Sequence, residues 1–149
     1  MAVRIRRPAA HKELLEQLCG DSGNPFNHYY EALLYSAALG YARGAREPFE
    51  QADEPIRWDT FLSIEGAAEL VDMLAGTTID DRTILSEEGA EQRIAIFEEY
   101  ANGGLGVVQR AIDASPAKMT RAVILDLVLG EQESSVPEVD FDALARELT

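Results

Sequence analysis

Five arginines are the side chains whose type and spacing best suit a recognition chemistry. Arg4, Arg6 and Arg7 open the chain, and Arg43 and Arg46 follow a long apolar stretch. A guanidinium presents a planar fork of donors that grips phosphate or carboxylate, so both groups are candidate nucleic-acid or anion contacts. The run Val3-Arg4-Ile5-Arg6-Arg7 alternates apolar and basic residues before Pro8, which predicts a short strand or extended arm. In a strand, Arg4 and Arg6 project from one face, with Val3, Ile5 and Arg7 on the other. Arg43 and Arg46, with Arg57 near in sequence, form the second group. Capping of the preceding helix by these arginines is the alternative, because the helix dipole favours cations at a C-terminus.

Other chemistry is scarce. His11, His28 and the lone Cys19 do not make a closed zinc site, which leaves mixed carboxylate sites open, and a di-iron helix pair would need a glutamate followed three residues later by histidine. Gly20-Asp21-Ser22-Gly23 lacks the lysine and spacing of a phosphate-binding loop and reads as a turn. His28 reads as a capping or solvent-facing residue. The acidic clusters Glu87, Glu88, Glu91 and Glu98, Glu99 read as solvated helix faces. Asp126, inside an apolar run, is expected to point outward from a helix whose core face holds Ile124, Leu125 and Val128. No catalytic residue, metal or cofactor is expected, so a non-enzymatic role follows.

Charge narrows the partners. The net charge is −14, yet residues 1–46 hold six Lys/Arg against four Asp/Glu, so the remaining chain carries sixteen net negative charges. Phosphates would be repelled by that acidic body, which confines any DNA contact to the N-terminal third. No apolar run approaches the roughly 20 residues that span a bilayer, and the basic N-terminus is not followed by a signal-peptide core. No membrane association is expected, and the default location is the cytoplasm.

The elements that must position these residues are helical. The spacing predicts a mainly α, compact multi-helix single domain around a central buried helix at 27–42, with a short strand at its N-terminus. That helix is apolar on two faces, one carrying Tyr30, Leu33, Leu34, Ala37, Ala38 and Tyr41 and the other Ala32, Tyr35, Leu39 and Ala42. Ala32, Ser36 and Gly40 form a stripe of small residues, expected to serve close packing within the domain rather than a dimer seam. A helix at 9–19 precedes it. Strand, helix, turn, helix is the order of ribbon-helix-helix DNA-binding proteins, in which strands from two subunits pair.

Residues 47–55 read as a loop, 56–64 as a short strand or helical turn with helix preferred, and 66–75 as a helix closed by Gly76. Ser86 is expected to cap a helix that stops at Asn102-Gly103-Gly104, and a separate helix spans 105–114. Ser115-Pro116 then opens a further segment. The domain is drawn at 1–130, an acidic linker at 131–138 and an amphipathic helix at 139–149. Phe141, Leu144 and Leu148 on that last helix are candidate partner contacts, or fold back on the core. Homo-oligomerisation is left open.

Two segments together resemble a known family. Gly40-Tyr41 with Gly44, Arg46, Pro48-Phe49 and Pro55-Ile56, followed by Ile96-Phe97-Glu98-Glu99-Tyr100-Ala101-Asn102-Gly103-Gly104-Leu105, are similar to the DNA phosphorothioation-associated, or Dnd system-associated, protein 4 family. The likeness spans roughly residues 3–112. It implies a prokaryotic protein linked with sulfur substitution in the DNA backbone and with anti-phage restriction. It also implies an accessory role beside other proteins of such a system, and carries no catalytic residues. The alternative is a DNA-binding or regulatory module using the basic N-terminus.

Overall fold

The structure is a computed structural model that describes residues 4–20, 23–135 and 145–147. Strand β1 (Arg4–Pro8) leads through one 3-10 turn into α1 (Lys12–Leu18) and then α2 (Tyr29–Ala42). Next come β2 (Ala52–Arg57), α3 (Trp58–Leu62), α4 (Ala67–Thr78), two further 3-10 turns, α5 (Ala90–Ala114) and α6 (Thr120–Ser135). The expected mainly helical fold with a short N-terminal strand is what forms.

The core lies where α2 and α5 cross, and α4, α1 and the sheet close around it. Leu33, Ala37, Phe97, Ala101 and Leu105 are buried at this crossing, and Leu74 and Val71 of α4 join from the side. Phe61 of α3 is fully buried, with its ring edge-on to Phe97 at 5.1 Å. Such an aromatic pair adds to the apolar area it removes from water.

The crossing is made by small residues on both helices. An added Cβ on Gly104 would lie 1.7 Å from the backbone oxygen of Ser36, and one on Gly40 would lie 2.2 Å from that of Tyr100. The stripe of Ala32, Ser36 and Gly40 thus serves packing within the chain, as its spacing predicts. The expected stop at Asn102-Gly103-Gly104 does not occur. Helix α5 runs through it for 25 residues. The glycines are there because α2 and the loop after it occupy the space a side chain would fill, and tertiary packing outweighs their low helix propensity.

Residues 47–55 do not all remain a loop. β2 begins at Ala52 and pairs antiparallel with β1, Ile5 facing Ile56 and Arg7 facing Asp53. Glu54 and Pro55 therefore oppose Arg6 alone. Pro55 sits in this bulge, a position that tolerates its missing N–H. Of the strand and helix weighed for 56–64, both occur: strand through Arg57 and helix from Trp58.

Four boundaries also differ. Helix α4 continues past Gly76 to Thr78. Ser86 does not cap a helix; its hydroxyl donates to the Thr83 carbonyl, and α5 starts at Ala90 after a 3-10 turn. Helix α6 starts at Thr120, beyond the Ser115-Pro116 signal, and its core face holds Val123, Ile124 and Leu127 while Leu125 is exposed. It also runs to Ser135, so the acidic stretch begins as helix. Residues 136–138 and Phe141, Leu144 and Leu148 lie outside the described residues, whereas 145–147 are helical.

Candidate functional site

The densest polar contacts join β1 and the loop after α2 to the middle of α5. Gly44, at φ +63°, turns the chain out of α2, and the Ala45 N–H donates to the Gly40 carbonyl at 2.7 Å. The loop then lies along α5. Glu47 N–H donates to the Glu99 carbonyl at 3.0 Å, and Asn102 Nδ2 donates back to the Glu47 carbonyl at 2.9 Å. Arg46 Nε donates to Glu99 Oε2 at 2.6 Å, with its guanidinium 6.0 Å from the Tyr100 ring centre.

Glu98, next to Glu99 on α5, takes Arg6 from the sheet side. The Arg6 backbone N–H donates to Oε2 at 2.5 Å, and its Nη2 reaches Oε1 at 3.2 Å. The guanidinium also lies 4.6 Å from the Phe49 ring centre. Glu98 is only 4% exposed. Burial raises its carboxyl pKa, the hydrogen bonds and charge of Arg6 oppose that rise, and Glu99 adds to it. The pair Glu98 and Glu99 is therefore not a solvated helix face: it is the acidic half of a clamp that holds two arginines.

The five predicted arginines are thus dispersed among different tasks. Arg4 is exposed and faces Arg57 across the sheet. Arg7 donates from Nε to the Glu54 carbonyl at 2.5 Å, approaches Asp53 at 3.9 Å and covers the Tyr29 ring at 4.5 Å. Arg6 and Arg46 serve the clamp. Arg43 lines a groove of about 450 Å³ together with Ala45, Val107, Arg110, Ala111 and Leu127. Strand β1 finds its partner in β2 of its own chain, whereas a ribbon-helix-helix protein pairs it with a second subunit.

Arg110 is absent from the sequence candidates but lines the same groove. It sits one turn beyond Val107 on α5, in a stretch with no basic neighbour, so only the fold brings it to Arg43. Its Nη1 lies 3.5 Å from where a Cβ on Gly106 would be. Among the described residues Arg110 makes no ion pair or hydrogen bond.

The remaining candidates are placed apart. His28 is exposed and stacks on Tyr30 at 4.9 Å, in keeping with a solvent-facing role. Cys19 is buried, its thiol donating to the His28 carbonyl at 3.6 Å, and burial pushes its pKa up to about 11. Asp126 points outward and pairs with Lys118 at 2.7 Å. A second cavity of about 210 Å³ carries Asp81 and Glu88, but Asp81 is already engaged by the N–H and hydroxyl of Thr83, which hold its carboxyl below the usual range. No group of three or more His, Cys, Asp or Glu suited to a metal ion occurs among the described residues. Nor, among them, is any helix long and apolar enough to cross a membrane.

Geometry defines a small, mainly helical protein whose strongest polar contacts tie a two-stranded sheet and a loop to one long helix. The residues of that tie are those of the resemblance: Gly40, Gly44, Arg46 and Phe49 from one segment, Glu98 to Gly104 from the other. The family of DNA sulphur modification system-associated protein 4 matches residues 4–146, and the chain belongs to it. That match continues through α6, well beyond the 3–112 over which the likeness was read. No curated protein and no solved structure matches the chain.

Proposed function

We propose that this protein is a non-catalytic accessory component of a DNA sulphur modification system that works by binding other proteins of that system in the cytoplasm. The observation that carries this reading is the clamp. Arg6 and Arg46, two of the five candidate anion-binding arginines, are neutralised by Glu98 and Glu99 of the same chain. On α6, Leu125 and Leu129, one turn apart, are 57% and 48% exposed. Apolar side chains grouped on one helix face suit a protein contact better than a polyanion. The buried, protonated Cys19 is unsuited to nucleophilic chemistry, in line with a non-catalytic role.

The test is purification of a tagged copy from its native host, with mass spectrometry of what it retains. Proteins of the modification system are expected, and Leu125→Glu with Leu129→Glu should release them while the chain stays folded. Recovery of none of them by the unaltered chain would end this reading.

A DNA-contacting role draws support from Arg4 and Arg57, exposed and directly opposite on the sheet. It requires duplex binding that weakens steeply as salt rises and disappears in Arg4→Glu with Arg57→Glu. Absence of binding at low salt would dismiss it.

A further inference from the structure

We infer that the outer face formed by α4 and the 3-10 turn Arg82–Leu85 docks a basic, aliphatic peptide segment of a partner protein. This rests on the protein-binding reading above and adds a surface made by other elements than the leucines of α6. Met73 is 48% exposed and Leu85 53%. Gly76 adjoins both: it lies one turn beyond Met73, and Leu85 Cδ2 comes within 4.0 Å of where its Cβ would be.

Leu85 is held in its exposed position. Arg93 Nη1 donates to the carbonyls on either side of it, Ile84 at 2.7 Å and Ser86 at 2.6 Å, and Arg93 Nε pairs with Asp72 of α4 at 3.1 Å. Ile84 is buried beneath, and the Asp81 carboxylate accepts from the Thr83 N–H at the start of the turn. An apolar side chain fixed in advance loses little freedom when a partner covers it.

Charge selects the occupant. Residues 65–93, all of them described, carry eight exposed carboxylates against two arginines, and Arg93 is spent on the contacts just given. Glu69 stands one turn before Met73, and Asp80 and Asp81 lead from α4 into the turn that carries Leu85. A second copy would set this acidic face against itself, and a duplex would set phosphates against it. A segment with Lys or Arg beside aliphatic side chains complements both the charge and the apolar patch.

The probes are acetyl-Leu-Lys-Lys-Leu-Leu-Lys-Lys-Leu-amide, its counterpart with Glu for every Lys and its counterpart with Ser for every Leu. Each is titrated into the full chain labelled with ¹³C at its methionine methyls. Met73 reports on the face, and Met119, 72% exposed just before α6, is the internal control. The first peptide is expected to shift Met73 saturably and leave Met119 in place, with both counterparts binding more weakly. Leu85→Gln should weaken binding about fivefold, for a half-exposed leucine that a partner buries. Glu69→Gln should weaken it about twofold at low salt, for one exposed ion pair. Both positions are exposed, so urea midpoints should stay unchanged.

Equal shifts of Met73 and Met119, no saturation, a counterpart that binds as tightly as the first peptide, or full affinity in Leu85→Gln would overturn the assignment. The native purification separates this from the broader reading. If Leu85→Gln with Glu69→Gln retains the system's proteins as fully as the unaltered chain, this face is not their docking site, although protein binding stands. If the unaltered chain retains none, the broader reading falls, and the peptide titration still decides whether the face binds a basic segment.

Discussion

Gly104→Ala is the most severe small change the fold offers. The added methyl would sit 1.7 Å from the Ser36 backbone oxygen, whereas carbon and oxygen in ordinary contact lie about 3.3 Å apart. Relief requires α2 and α5 to part by about 1.5 Å at their closest point, and neither obstacle is a side chain that can rotate away. Overpacking against backbone belongs at or above the upper end of its usual cost, about 3–4 kcal/mol, offset by about 1 kcal/mol of improved helix propensity. The net expectation is a loss of about 2–3 kcal/mol, or roughly 5–10 °C in Tm for a chain of this size.

Gly106→Ala, two residues further along the same helix, meets only the end of the Arg110 side chain at 3.5 Å and should gain about 0.5–1 kcal/mol. Urea unfolding of both variants, monitored by circular dichroism, makes the comparison. Adding Ser36→Gly to Gly104→Ala should restore nothing, because the obstructing atom is a carbonyl oxygen. A Gly104→Ala chain as stable as Gly106→Ala would refute the close crossing and the reason given for glycine in the middle of α5.

Cys19, with its pKa near 11, holds about one thiolate in a thousand at pH 8 and should react with a disulfide reagent only as the chain opens. Prompt stoichiometric labelling of the native protein would contradict its burial. Because burial raises the Glu98 pKa above the ordinary 4.5, its contribution to stability is full below that value and is lost as pH rises through the folded-state pKa. Glu98→Gln should abolish that slope in urea midpoints measured from acid to neutral pH, leaving a flatter profile. Arg6→Ala, which leaves the Glu98 carboxylate without its cation, should cost about 2–3 kcal/mol at neutral pH, less than a fully buried pair because Arg6 is partly exposed. His11 has its pKa lowered from 6.5 by burial, so its contribution is present above that value and is lost as pH falls through the folded-state pKa. The unfolding midpoint of His11→Gln should fall less on acidification than that of the native chain.

The apolar periodicity of α2 and α4 was legible because it repeats at helical spacing along the side that packs, although Ala38, Tyr41 and Ala42 of α2 are exposed. The alternating Arg4–Pro8 segment was legible for the corresponding reason, a strand's period of two. Asn102-Gly103-Gly104 misled because glycine has two physical uses. At a helix end it relieves the backbone, and in a helix interior it lets another backbone approach. Only the partner tells them apart, and here the partner is Ser36, far away in sequence. Pro55 misled similarly, since a bulge in a two-stranded sheet accepts the residue that a regular ladder excludes.

The candidate site shows a sharper limit. Residue type made Arg4, Arg6, Arg7, Arg43 and Arg46 candidates, but what an arginine does is fixed by the carboxylates that reach it first. Glu98 and Glu99 look like solvent-facing residues in sequence, because charge runs usually are. Their position on α5, facing the sheet on one side and the loop on the other, turns them into the counter-ions of Arg6 and Arg46. The same folding event that consumes those two arginines carries Arg110 to the groove beside Arg43. The clamp and the groove are therefore consequences of one arrangement, the loop after α2 laid along α5. A change that frees the loop, such as Asn102→Ala at its hydrogen bond to the Glu47 carbonyl, should loosen the Arg46–Glu99 contact and lower stability by about 1 kcal/mol in urea unfolding.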